Sequence, residues 1–138
     1  MSKVLGIDYG TVRTGIAITD SARIIAAPLT TVATKHIWEE LQKLISKEKI
    51  SEVVIGEARR LNGEASEITA LQETFVQQFN KKFPDVAVHR INEMFTSKMA
   101  SRSMVVSGMK KSDRRDKGNI DMISAAILLQ SFLDQPHR

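Results

Sequence analysis

The sequence predicts an α/β fold in which a five-stranded mixed sheet, its first three strands antiparallel and its later strands parallel, is flanked by helices. Three observations lead there. The chain opens on three short apolar runs divided by turns, then alternates helical with strand periodicity, and closes on a segment that is apolar around most of a helix.

Residues 3 to 8 and 14 to 19 are apolar and partly β-branched, and the glycine-bearing turn from Tyr9 to Arg13 divides them, which predicts an antiparallel hairpin. A third strand is expected from Arg23 to Leu29, after the polar turn at Asp20 and Ser21 and ending near Pro28. Ile37, Trp38, Leu41, Leu44 and Ile45 then recur at helical spacing between Thr34 and Lys49. Residues 52 to 56 read as a buried fourth strand. Ile68, Leu71, Phe75 and Phe79 mark a second helix that Pro84 stops, and residues 86 to 91 alternate as a fifth strand. Thr96 or Ser97 can cap a third helix reaching Ser107, and Asn119 can cap a last one from Ile120 to Leu133. Helical crossovers make the first, fourth and fifth strands run one way, so their C-terminal ends share an edge. Ligands of open α/β sheets gather outside such ends.

A chain of 138 residues, 42% hydrophobic and 26% charged, fits one packed domain spanning 1–138. There is no cysteine, which excludes disulfide frameworks, thiolate metal sites and thiol nucleophiles. No charged leader and no run of about 20 apolar residues is present, so a soluble, cytoplasmic protein without membrane partners is expected. The net charge of +4 favours polyanionic partners. Lys110, Lys111, Arg114, Arg115 and Lys117, set against Asp113 and Asp116, contribute +3 of that +4. No feature of the sequence fixes the oligomeric state.

Three carboxylates converge on the shared edge from distant positions: Asp8 ends the first strand, Glu93 follows the fifth, and Asp121 lies in the first turn of the last helix. Hard oxygen donors of this kind suit Mg2+ or Mn2+, which would activate water for phosphodiester hydrolysis. Each acid also has a plainer role open to it. Asp8 can serve its turn, Glu93 can be a solvated loop residue, and Asp121 can complement a helix dipole. Asp121, however, shares a helical stripe with Ala125 and Leu128, which turns it toward the sheet. Around Asp8, Gly6, Gly10 and Gly15 would permit close approach of a phosphate, with Gly10, Thr11 and Arg13 as contacts. Arg59 and Arg60, together with Lys110, Lys111, Arg114, Arg115 and Lys117, are further candidates to grip a nucleic-acid backbone. Glu57 ends the fourth strand as either a fourth carboxylate or a solvated one. His36, His89 and His137 share no ligand spacing.

The segment Gly6 to Ala17, the segment Asn92-Glu93-Met94-Phe95-Thr96-Ser97 and the segment Asn119-Ile120-Asp121-Met122-Ile123-Ser124-Ala125-Ala126 resemble the three signature regions of the YqgF family. Its members are assigned as nucleases of pre-16S ribosomal RNA and are also described as Holliday-junction-resolvase-like. The resemblance implies a ribonuclease H-like fold, divalent-metal chemistry at Asp8, Glu93 and Asp121, and trimming of the 5′ end of the 16S precursor. Four positions depart from the family pattern. An Asp-Glu-Arg motif stands here as Asn92-Glu93-Met94, and a Gly-Leu-Pro motif as Gly56-Glu57-Ala58. A resolvase acting on branched DNA, a non-catalytic RNA-binding module and an actin-like nucleotide-binding domain are the competing readings. The last is disfavoured because such ATPases enclose their nucleotide between two domains.

Overall fold

The computed structural model describes residues 2–57, 67–92 and 117–135. They form strands β1 (Lys3–Tyr9), β2 (Arg13–Thr19) and β3 (Ala26–Ala33), a 3-10 turn (Thr34–His36), helix α1 (Ile37–Lys47), strand β4 (Ile50–Glu57), helix α2 (Glu67–Lys82), strand β5 (Ala87–Asn92) and helix α3 (Lys117–Leu133). All five strands join one sheet in the order β3-β2-β1-β4-β5. The pairs β1/β2 and β2/β3 are antiparallel, and β1/β4 and β4/β5 are parallel. This is the mixed sheet expected from the sequence. The helix expected from 96 to 107 lies outside the described residues.

Strand alternation sorts the core into two layers. Leu5, Ile7, Ile16, Val53 and Ile55 face α1 and α2, where they pack with Leu41, Phe75 and Phe79. Val4, Ala17 and Val54 face the other way and pack with Ala125, Leu128, Leu129 and Phe132 of α3. Among the described residues it is α3 that packs on this face, chiefly over β1, β2 and β3. It can do so because two glycines on that face let its backbone come down onto the strands. A Cβ on Gly15 would stand 2.1 Å from the Asp121 carbonyl oxygen, and one on Gly6 would stand 2.7 Å from Leu129 Cβ.

Four local expectations need correction. The third strand starts at Ala26 instead of Arg23 and runs on to Ala33. Arg23 has φ 60°, a left-handed backbone that a strand cannot use. That conformation carries its guanidinium to the Ser2 carbonyl (2.9 Å), Glu52 Oε2 (2.6 Å) and Ser51 Oγ (2.6 Å), which offsets the cost of the backbone. Pro28 lies inside the strand, because β3 is an edge and the register skips Leu29 between the pairs Ile16/Thr30 and Ala17/Pro28. On α2, Leu71 is exposed and Gln72 is fully buried in its place. Finally, α3 begins at Lys117, so Asn119 is inside the helix rather than capping it, and Asp121 lies beyond its first turn.

The turn before β3 is held by Asp20, whose Oδ1 accepts the backbone N–H of Ile24 (2.9 Å) and of Ile25 (3.3 Å). These bonds hold its carboxyl below the usual range. From the other layer, Gln130 of α3 fastens the start of β3 by accepting from Ala26 N (2.9 Å) and donating to the Ile24 carbonyl (3.1 Å).

Two outcomes follow from this packing. Gly15→Ala forces backbone against backbone, and its urea midpoint should report a loss of about 3 kcal/mol. Asp20→Ala should lower the midpoint at neutral pH. Because the folded-state pKa is depressed, the wild-type advantage is present above the unfolded-state value of about 3.9 and fades as the pH falls through the folded value below it. A difference between the two proteins that stays constant down to pH 2 would contradict the assignment.

Candidate active site

β1 ends on two residues that the pleat sends to opposite faces. Tyr9 goes under α2, where its ring stacks on Phe75 with centroids 4.6 Å apart, and its carbonyl accepts the amide of buried Gln72 at 3.2 Å. Asp8 is thereby committed to the α3 face. It stands directly opposite Gly15 in the β1/β2 register, and opposed residues of an antiparallel pair share a face.

Asp121 reaches the same place from the helix. Its backbone rests on Gly15, and Ala125 and Leu128 on its stripe are buried, as the sequence pattern required. Asp8 and Asp121, 113 positions apart in the chain, thus flank one glycine. Arg13, two residues before Gly15 on β2 and so on the same face, donates from Nε to Asp121 Oδ2 at 2.8 Å. The carboxylate side chain is 24% exposed and the arginine 40%, so the pair lies at the rim, not in the core.

The turn that joins Asp8 to Arg13 is pinned from behind by Thr34. Its hydroxyl donates to the Gly10 carbonyl (2.7 Å) and meets the Thr14 hydroxyl (2.8 Å), and its N–H donates to the Val12 carbonyl (2.9 Å). Thr11 and Val12 project at the exposed tip. Gly6 and Gly15 are taken up by contact with α3, and a Cβ on Gly10 would stand 2.5 Å from the Arg13 carbonyl oxygen, so that glycine serves the close approach of its own turn.

At the same edge, β4 ends on Glu57 and β5 on Asn92, which are paired in register. Strand alternation counted from Val54 and Ile55 sends Glu57 to the α1/α2 face, away from Asp8 and Asp121. This favours the reading in which Glu57 is not a further ligand. Glu93 is the next residue after β5 and lies outside the described residues, as do Arg59, Arg60, Lys110, Lys111, Arg114 and Arg115. Lys117 is the first residue of α3. Among the described residues no three His, Asp or Glu side chains gather into a metal-binding group. His89 is engaged far from this edge, with Nε2 2.8 Å from Glu52 Oε1 and its ring against Phe132. The donors at the site are accordingly carboxylate oxygens, the type that Mg2+ and Mn2+ take.

The sequence reading passed over Gln72 and Thr34, the two groups that brace the Asp8 turn. Gln72 was discoverable, since it falls three and seven residues before Phe75 and Phe79 on the buried stripe. Thr34 was not, because its partners come from a hairpin more than twenty residues earlier.

Comparison with known proteins places this arrangement in a family. The sequence profile of the RuvX family, described as Holliday junction resolvase, matches residues 2–135. A protein of Flavobacterium psychrophilum, provisionally named a pre-16S rRNA nuclease, is 49% identical over 133 residues, covering 96% of this chain and 97% of its own. One of Porphyromonas gingivalis with the same provisional name is 41% identical over 138 residues and 100% of both chains. Among solved structures, Thermus thermophilus RuvC in complex with a Holliday junction substrate superposes with a TM-score of 0.57 at 17% identity, over 96% of this chain and 94% of that one. The yeast mitochondrial Holliday junction resolvase Ydc2 gives 0.57 at 11% identity, over 96% and 78%. The fold is theirs, the sequence kinship is with the first group, and the chain belongs to the RuvX family, the YqgF family of its sequence motifs, as a resolvase-like nuclease.

Proposed function

We propose that this chain is a single-domain, cytoplasmic, divalent-metal-dependent nuclease that processes the 5′ end of pre-16S ribosomal RNA, with Asp8, Asp121 and Glu93 as its metal-holding carboxylates. The observation that carries this reading is the placement of Asp8 and Asp121 on one sheet face about a shared glycine, at the edge where Glu93 follows β5. Two acids held this close by main-chain packing repel one another, and a cation relieves that repulsion. The backbones of β1 and β5, separated by β4, are roughly 10 Å apart at strand spacing, a gap that side chains and water can bridge.

In this reading the chain's own groups bind and orient. Asp8 and Asp121, fixed by β1 and by α3, present hard oxygens toward the substrate side, with Glu93 as the third donor. A bound Mg2+ or Mn2+ supplies an activated water and offsets charge on the leaving oxygen. Gly10, Thr11 and Arg13 at the hairpin tip, with Arg59, Arg60, Lys110, Lys111, Arg114, Arg115 and Lys117, take the phosphate backbone. RNA is preferred as the substrate because the relatives that share 41–49% identity carry the rRNA-nuclease name. Branched DNA is the second reading, favoured by the family description and by the RuvC likeness.

The test is cleavage of end-labelled 16S precursor RNA and of a four-way DNA junction, each with Mg2+, by wild type and by Asp8→Asn. A metal ion supplies several kcal/mol of charge stabilisation, so the variant should lose about a thousandfold in rate on whichever substrate is cut. Undiminished cutting by Asp8→Asn would remove the metal site. Faster cutting of the junction than of the RNA would instead establish the resolvase reading.

A further inference from the structure

We propose that Arg13 is a built-in counter-ion of Asp121 that competes with the divalent cation for the same carboxylate, and so sets how tightly the site takes metal. The inference rests on the reading of Asp8 and Asp121 as metal ligands. Its basis is the contact between Arg13 Nε and Asp121 Oδ2 at 2.8 Å, on the very face that Asp8 shares.

Two observations argue that the pair is more than a structural tie. Asp121 needs no arginine to hold it in place, because its backbone is already pressed onto Gly15 and the rest of its stripe is buried. The pair is also partly exposed and meets through Nε and a single carboxylate oxygen rather than as a two-pronged fork. Contacts of that kind add little to folding. What the guanidinium does supply is a positive charge against Asp121, on the face that Asp8 shares. A second cation entering there must displace it or bear its repulsion.

The sign of the effect separates this role from a positioning one. If Arg13 merely orients Asp121, removing it loosens a ligand and weakens metal binding. If it competes, removing it strengthens binding. Even with the full screening of bulk water, taking a unit charge from about 5 Å of a divalent ion is worth about tenfold in affinity.

The measurement is Mn2+ titration by calorimetry on the full chain, for wild type, Arg13→Gln, Arg13→Lys and Asp8→Asn, with thermal unfolding in parallel. Arg13→Gln should bind Mn2+ about tenfold more tightly than wild type and gain a larger metal-dependent rise in Tm, while Arg13→Lys, which keeps the charge, stays near wild type. Thermal unfolding without metal reports whether each variant is folded. Equal or weaker Mn2+ binding by a folded Arg13→Gln overturns the competition while leaving the metal site standing. Should wild type bind no Mn2+, or Asp8→Asn bind it as well as wild type, the metal-site reading falls and this inference falls with it.

Discussion

Everything at the active edge depends on one close contact, the backbone of α3 lying on Gly15 of β2. A side chain at that position would stand 2.1 Å from the Asp121 carbonyl, so the helix could not approach. Its absence brings Asp121 down beside the strand that pairs with Asp8. The same helix packs on that face through Ala125, Leu128, Leu129 and Phe132, and Gly6 repeats the accommodation one strand over. Placement of the acid and burial of the core are therefore a single event. Position at this site is held by main-chain packing, which is stiffer than any side-chain bond at the rim.

The two faces of β1 divide the work. On one, Tyr9 is clamped by Phe75 and by the Gln72 amide, and on the other Asp8 is left toward the site. Because the side-chain period of a strand is two, anchoring Tyr9 determines the face of Asp8. Thr34 performs the matching service for the turn that follows, fastening Gly10 and Val12 from behind while Thr11 and Val12 stay exposed. The opposite edge has a separate network, in which Arg23, Ser51, Glu52 and His89 tie the starts of β4 and β5 to the β2–β3 turn. Within that network His89 and Glu52 are partners of one another. Among the described residues the imidazoles of His36 and His89 face Glu39 and Glu52.

Charge is distributed in keeping with this geometry. Asp8 and Asp121 share a face where β1 ends, and an arginine from the hairpin already partners Asp121. A site that carries its own counter-ion can fold before any metal is present, because the like charges are partly balanced from within the chain. Lys110, Lys111, Arg114 and Arg115 lie in sequence just ahead of α3, the helix that brings Asp121 to the sheet.

Periodicity and turn chemistry were sufficient to read all five strands, their mixed directions and the helices between them, because each is a local pattern repeated over several residues. Strand ends and the stripe of the last helix pointed to Asp8, Glu93 and Asp121, and motif resemblance agreed with them and added the family. Local pattern could not show that β3 is an edge strand able to hold Pro28 within a bulge, since edge status depends on which strands pair. Nor could it show that Arg23 adopts a left-handed backbone to reach partners from β1's approach and β4, that Gln72 rather than Leu71 faces inward, or that Gly15 serves a helix instead of a phosphate. The pairing of Arg13 with Asp121 spans 108 positions. Contacts across such separations arise when sheet and helix dock, and no window of sequence contains both partners.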